Sequence, residues 1–98
     1  MQYLVVVTTK QELVDNPPAE MKDLLEEEQS RGRALYGSGE LRQSWEVGDD
    51  LPGVVCLYEA TSREHLQEML DSYPFLQRGY SDVLVRLLKP DSAYTAGG

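Results

Sequence analysis

The stretch ELRQSWEVGDDLPGVVCLYEA, residues 40–60, decides the fold. Two runs that read as strands, ELRQSWEVG (40–48) and VVCLYEA (54–60), flank the segment DDLPG, whose aspartates, proline and glycine favour a turn. The pair therefore reads as a hairpin, and its neighbours on either side fix the topology. Upstream, MQYLVVVTT (1–9) is rich in β-branched residues and reads as a strand, followed by a polar connection, KQELVDN, and a long helix. Pro17 and Pro18 suit the first turn of that helix, with Asp15 or Asn16 as its cap. Glu20 and Asp23 lie near its positive end, and Gly37 and Gly39 terminate it. Downstream, TSREHLQEMLDSY opens with Thr61 and Glu64 in capping-box spacing and places Leu66, Met69, Leu70 and Tyr73 on one helical face. After the loop PFLQRGYS comes a last strand, DVLVRLLK (82–89).

The order β-α-β-β-α-β is that of the ferredoxin-like double split unit, an α+β fold in which both helices cover one face of a four-stranded antiparallel sheet. A chain of 98 residues makes one domain with a thin core. That domain is expected over residues 1–90, with residues 91–98 a disordered polar tail. Leu4 to Val7, Val54 to Leu57 and Val83 to Val85 stay apolar on both sides of their strands, whereas a sheet face open to water should alternate to polar residues. The economical cover for the second face is a second copy of the chain, so a homodimer or larger homo-oligomer is expected.

Seventeen acidic against nine basic residues give a net charge of −8, and the basic residues form no cluster. Phosphate backbones and anionic lipid would be repelled, so neither nucleic acid nor membrane is an expected partner. The apolar run Leu4–Val7 is too short for a signal-peptide core or a membrane span, which makes a cytoplasmic location the expectation. One cysteine, Cys56, excludes an internal disulfide and reads as a buried, inert thiol. With His65 the only histidine, a metal site of the usual histidine and cysteine type has little support, and no cofactor is expected.

The long helix carries a fault. In MKDLLEEEQSRGRAL (21–35) the apolar residues Met21, Leu24, Leu25 and Leu35 mark the core-facing stripe, and Glu28 falls near its centre. Two readings stand side by side: a core-edge carboxylate paired with an arginine or bonded to a tyrosine, or a base kept in apolar surroundings. Gly32, one turn further along the same face, removes bulk beside the carboxylate at a cost of about 1 kcal/mol in helix propensity. This raises the second reading, although on the residues alone the structural one stays ahead. Glu26 and Glu27 point away from the stripe.

Taken together, the opening strand with TTK, the acidic helix, GELRQSWEVG with Arg42, Trp45 and Gly48, the helix TSREHLQEML followed by YPF, and the closing Lys89-Pro90 resemble the muconolactone delta-isomerases, cofactor-free members of the dimeric α/β-barrel superfamily. The resemblance covers nearly the whole chain. It implies a pocket between sheet and helices and an acid on the first helix that transfers a proton, which by spacing from Trp45 falls on Glu28. The chain departs from the pattern at Gln43 and Glu46, where histidine and arginine would stand, and in its longer loop PFLQRGYSD. Both departures touch the pocket rim, so the substrate need not be a small anionic lactone.

The activity implied is a cofactor-independent isomerase that shifts a proton and a double bond on a lactone or enone, with Glu28 as catalytic base. Arg42, Trp45, Tyr58, Arg86 and Tyr36 are the candidate substrate-binding residues, as oxyanion donors or pocket wall, each with an alternative as core packing or a structural salt bridge. Tyr73 offers a further hydroxyl. His65, beside rather than on the apolar face of its helix, reads as an exposed, ordinary histidine. The alternatives on the same fold are a cofactor-free polyketide cyclase or quinone-forming monooxygenase, and a non-catalytic ligand-binding or assembly module.

Overall fold

A computed structural model describes residues 1–49 and 52–94. The elements run β1 (Gln2–Thr9), α1 (Gln11–Asp15), α2 (Ala19–Ser38), β2 (Leu41–Glu46), β3 (Gly53–Glu59), α3 (Arg63–Asp71), α4 (Pro74–Gln77) and β4 (Ser81–Leu88). The four strands form one antiparallel sheet in the order β2-β3-β1-β4, the ferredoxin-like arrangement. Tyr3 and Val5 of β1 stand opposite Tyr58 and Cys56 of β3, and these four side chains are buried with Leu35 of α2 and Leu66, Met69 and Leu70 of α3. One face of the sheet thus carries both long helices and the core.

Local chemistry moves several boundaries from those the sequence suggests. KQELVDN is not a plain connection: its Gln11–Asp15 segment closes a short helix, with Leu13 and Val14 N–H groups donating to the Lys10 carbonyl at 2.9 and 3.2 Å. It stops at Asn16, because the residue before a proline is kept out of the helical region. Pro17, itself before a proline, is kept outside α2 in the same way, and Pro18 is the extended cap residue with no side-chain cap, so neither fills the first turn. Gly37 stays inside α2, and termination falls to Gly39. Its φ of +83° lets the amides of Gly39 and Glu40 fold back onto the carbonyls of Tyr36 and Leu35.

The cap of α3 is Ser62, one residue later than the capping box suggests, and its hydroxyl accepts from the His65 N–H at 3.0 Å. Thr61 and His65 meet differently, the Thr61 N–H donating to His65 Nδ1 at 3.0 Å. With Nδ1 accepting, the ring proton sits on Nε2, which donates to Glu40 Oε2 at 2.7 Å. His65 is therefore a half-buried tie between the end of α2 and the start of α3, not a free surface group. Bonds from Ser38 and His65 hold the Glu40 carboxyl below its ordinary range.

The loop PFLQRGYS holds one further helical turn, α4, with Pro74 at its first position. Asp50 and Leu51 of the DDLPG turn lie outside the described residues. At its end, Gly53 admits no side chain, since a Cβ there would collide with the Val7 carbonyl oxygen of the neighbouring strand. Of the tail, residues 92–94 form a turn in which Tyr94 N–H donates to Asp91 O at 3.0 Å, and residues 95–98 lie outside the described residues. Among the described residues no helix is long and apolar enough to cross a membrane.

Candidate active site

Between the sheet and α2 lies a cavity of about 230 Å³. Its walls are apolar, formed by Val7 and Val54 from the sheet, Leu41 at the start of β2, and Leu70 and Leu76 from α3 and α4. Glu28 enters it from α2, half-buried on the face that also carries Leu24 and the fully buried Leu35. Leu25, expected in the same stripe, is exposed instead: it borders an open depression beside Glu28, where neither sheet nor α4 closes over it.

The Glu28 carboxylate accepts the Phe75 N–H at 2.8 Å. Phe75 lies in the first turn of α4, where amides have no partner inside the helix, so the carboxylate satisfies a donor that the fold leaves open. Burial nevertheless dominates and pushes the Glu28 carboxyl above the usual carboxylate range, the amide bond offsetting part of the effect. The ion pairs among the described residues join the Met1 amino group to Glu59, Arg33 to Glu26, His65 to Glu40 and Arg78 to Glu20. Glu28 belongs to none of them.

Facing the carboxylate is a run of polar atoms embedded in the core. The hydroxyls of Tyr58 and Tyr73 stand 2.8 Å apart, both rings buried, and Ser44 Oγ lies 3.5 Å from Cys56 Sγ. Burial raises both phenols and the thiol above their ordinary values, so all three are neutral near pH 7. Two phenols that share one hydrogen bond use one of their two protons between themselves, leaving the other available to an acceptor in the cavity. Gly32 lines the cavity beside them, and a methyl group built on it would stand 3.9 Å from the Tyr73 hydroxyl. The missing side chain is thus empty space next to the tyrosine pair.

Of the residues singled out from sequence, Glu28 and Tyr58 meet in this cavity, joined by Tyr73. Tyr36 is 62% exposed on α2 and borders a shallow surface depression at the outer end, together with Gly32 and Ser44. Arg42, Trp45 and Arg86 do not line the cavity. Arg42 is exposed at an irregularity in β2, where the pairing shifts between Leu41 and Gln43. Beyond that shift Ser44 pairs with Cys56 on the helix side, which turns Trp45, paired with Val55, to the opposite face. Arg86 stands across from Leu4 on that same far face, its guanidinium bonded to the adjacent Val85 carbonyl at 3.0 Å. Ser44, Gln29 and the Phe75 amide are site groups that the sequence reading missed. Ser44 becomes visible only once the strand register is known, and a backbone amide leaves no signature in a sequence.

The sequence profile of the muconolactone delta-isomerase family matches residues 1–92. The chain belongs to this family. A crystal structure of muconolactone isomerase superimposes with a TM-score of 0.80 at 24% identity, covering 97% of this chain and 95% of that one. A second similar structure, at TM-score 0.64 and 14% identity, is the 5-chloro-2-hydroxyhydroquinone dehydrochlorinase of Burkholderia phenoliruptrix in complex with 2,5-dihydroxybenzoquinone, with 95% and 98% of the two chains covered. No curated protein matches the sequence. Membership agrees with the resemblance read from the strand and helix order, and the isomerase superposition carries the fold over nearly the full chain.

Proposed function

We propose that this muconolactone delta-isomerase family member is a cofactor-independent isomerase that moves a proton on a conjugated lactone or enone, with Glu28 as the base. The observation that carries the reading is a carboxylate outside every ion pair among the described residues, set in an apolar cavity opposite a neutral hydroxyl pair. A carboxylate whose proton affinity is raised by burial takes an acidic C–H proton beside a conjugated carbonyl more readily than an ordinary one. The electron pair moves onto the carbonyl oxygen, and the free proton of the Tyr58–Tyr73 pair stabilises the charge that develops there. Glu28 then returns the proton to another carbon of the same conjugated system, so the substrate gains and loses nothing.

The test is incubation with muconolactone and with uncharged unsaturated lactones in D2O, followed by NMR. The expected result is a shifted double bond with deuterium at the carbon that gains the proton. Oxygen uptake would point instead to a quinone-forming monooxygenase, and the absence of exchange with every compound to a binding module.

The same reading includes assembly. The far face of the sheet presents Leu4, Val6, Val55 and Leu57, with Leu84 and Trp45 exposed beside them at 45% and 50%. Contiguous apolar side chains on a sheet face are what a second sheet packs against, so two copies are expected to join through these faces. Light scattering should give at least twice the chain mass, and Leu57→Glu should halve it. A monomer at micromolar concentration would overturn the assembly.

A further inference from the structure

We propose that the cavity is built for an uncharged, elongated carbonyl compound that passes Glu28 on both sides, and that it discriminates against ligands bearing a carboxylate. This rests on the reading of the cavity as the substrate site. A second depression of about 380 Å³ shares Val7, Glu28, Gln29 and Val54 with the first, so the two form one groove with the carboxylate near its middle. The tyrosine pair lies in the first cavity, and the second opens between Phe75 and Pro52 with Glu46 at its edge; on the Tyr36 side a shallow third depression shares Gln29, Gly32, Leu41 and Ser44 with the first and has Arg33 at its rim. The charged side chains that line these two depressions are Glu28 and Glu46, both acidic.

No lysine or arginine lines either depression, although the Arg31 charge is felt at the Tyr73 phenol. All nine basic residues of the chain lie in the described segments, and each is placed elsewhere. Arg31 is held by Ser72 at 2.6 Å, Arg33 by Glu26 and Arg78 by Glu20. Arg63 lines a separate groove against β4, Arg42 and Arg86 are exposed away from the cavity, and none of Lys10, Lys22 and Lys89 borders it. An anionic ligand would leave water for apolar walls that carry no cation, and would face Glu28 across a medium of low dielectric constant. A neutral carbonyl compound meets neither cost and still finds a donor at the tyrosine end.

Coumarin, a neutral bicyclic lactone, and coumarin-3-carboxylate differ by the charge in question. Titration of each into the full chain at pH 7, by calorimetry and by amide-resolved NMR, should show coumarin bound at least tenfold more tightly, with the resonances of Gly32, Tyr58 and Tyr73 shifted. Gln29→Arg places a guanidinium at the groove and should raise affinity for the carboxylate about tenfold, narrowing the gap between the two ligands. Equal or tighter binding of the carboxylate by the unmodified chain, or no binding of coumarin, would overturn the proposal. Preference for coumarin without any deuterium exchange would leave this inference standing and remove the isomerase reading.

Discussion

Glu28→Gln is expected to abolish turnover while leaving the fold and ligand binding nearly intact. The amide has the shape of the carboxylate, and its oxygen can still accept the Phe75 N–H, so α4 stays docked on α2. Only basicity is lost. A positioned general base contributes about 10²–10⁴-fold in rate, well beyond the error of a steady-state assay. Stability is expected to hold or rise, because no ion pair is broken and a charge that burial disfavours is removed.

The pH dependence has a definite sign. The folded-state value of Glu28 lies above its unfolded value, so its contribution to stability is full below the unfolded value and is lost as pH rises through the folded one. An amide at this position does not titrate, so the melting temperature of the Glu28→Gln variant should gain on the wild type as pH rises across that window. Wild-type activity should climb through the same window, at a pH above that of an ordinary glutamate. A lower melting temperature with surviving activity would make Glu28 a structural clamp between α2 and α4 and move the catalytic site elsewhere.

How much of this was legible in the sequence follows from which periodicities are unambiguous. Three-and-four spacing separates the faces of a helix cleanly, so a carboxylate on the α2 stripe stood out, as did the gap at Gly32. Two-residue alternation does not separate the faces of a strand whose residues are apolar on both. Leu4 to Val7 and Val54 to Leu57 offer no contrast, and only the pairing of Val5 with Cys56 shows which side the helices cover. In β2 alternation is misleading. Counting from the buried Leu41 puts Trp45 in the pocket, but the shifted register at Arg42 reverses the parity, sending Ser44 in and Trp45 out. Arg86 suffers from the same lack of contrast, since its strand is apolar on either parity. Three of the residues misassigned to the cavity, Arg42, Trp45 and Arg86, are thus strand residues; the fourth, Tyr36, is on α2 but exposed at its outer end, while Glu28 on the same helix lies in the cavity.

The tyrosine pair should give a pattern that packing alone does not produce. Tyr73→Phe removes the hydroxyl on the Glu28 and Gly32 side of the cavity and leaves that of Tyr58 with the Cys56 thiol as its remaining partner; Tyr58→Phe removes the partner of the Tyr73 hydroxyl. Each single variant costs a buried hydroxyl its phenolic partner, up to about 1–3 kcal/mol, with the Cys56 thiol offsetting part of the loss at Tyr58. The double variant removes both, and replacing both partners by apolar groups of the same shape is nearly neutral, so its melting temperature should recover toward the wild type. Activity should not recover. Loss of an oxyanion donor is worth about 10²–10³-fold, and the double variant lacks every phenolic proton that lines the cavity. If Tyr73 donates to the substrate and Tyr58 acts through it, Tyr58→Phe should cost less in kcat than Tyr73→Phe, and the double variant no more than Tyr73→Phe alone. Stability that falls and returns while turnover falls and stays low separates a catalytic donor from a structural hydrogen bond. Turnover that returns together with stability in the double variant would mean that the pair only holds β3 against the end of α3, and that the oxyanion is stabilised by some other group.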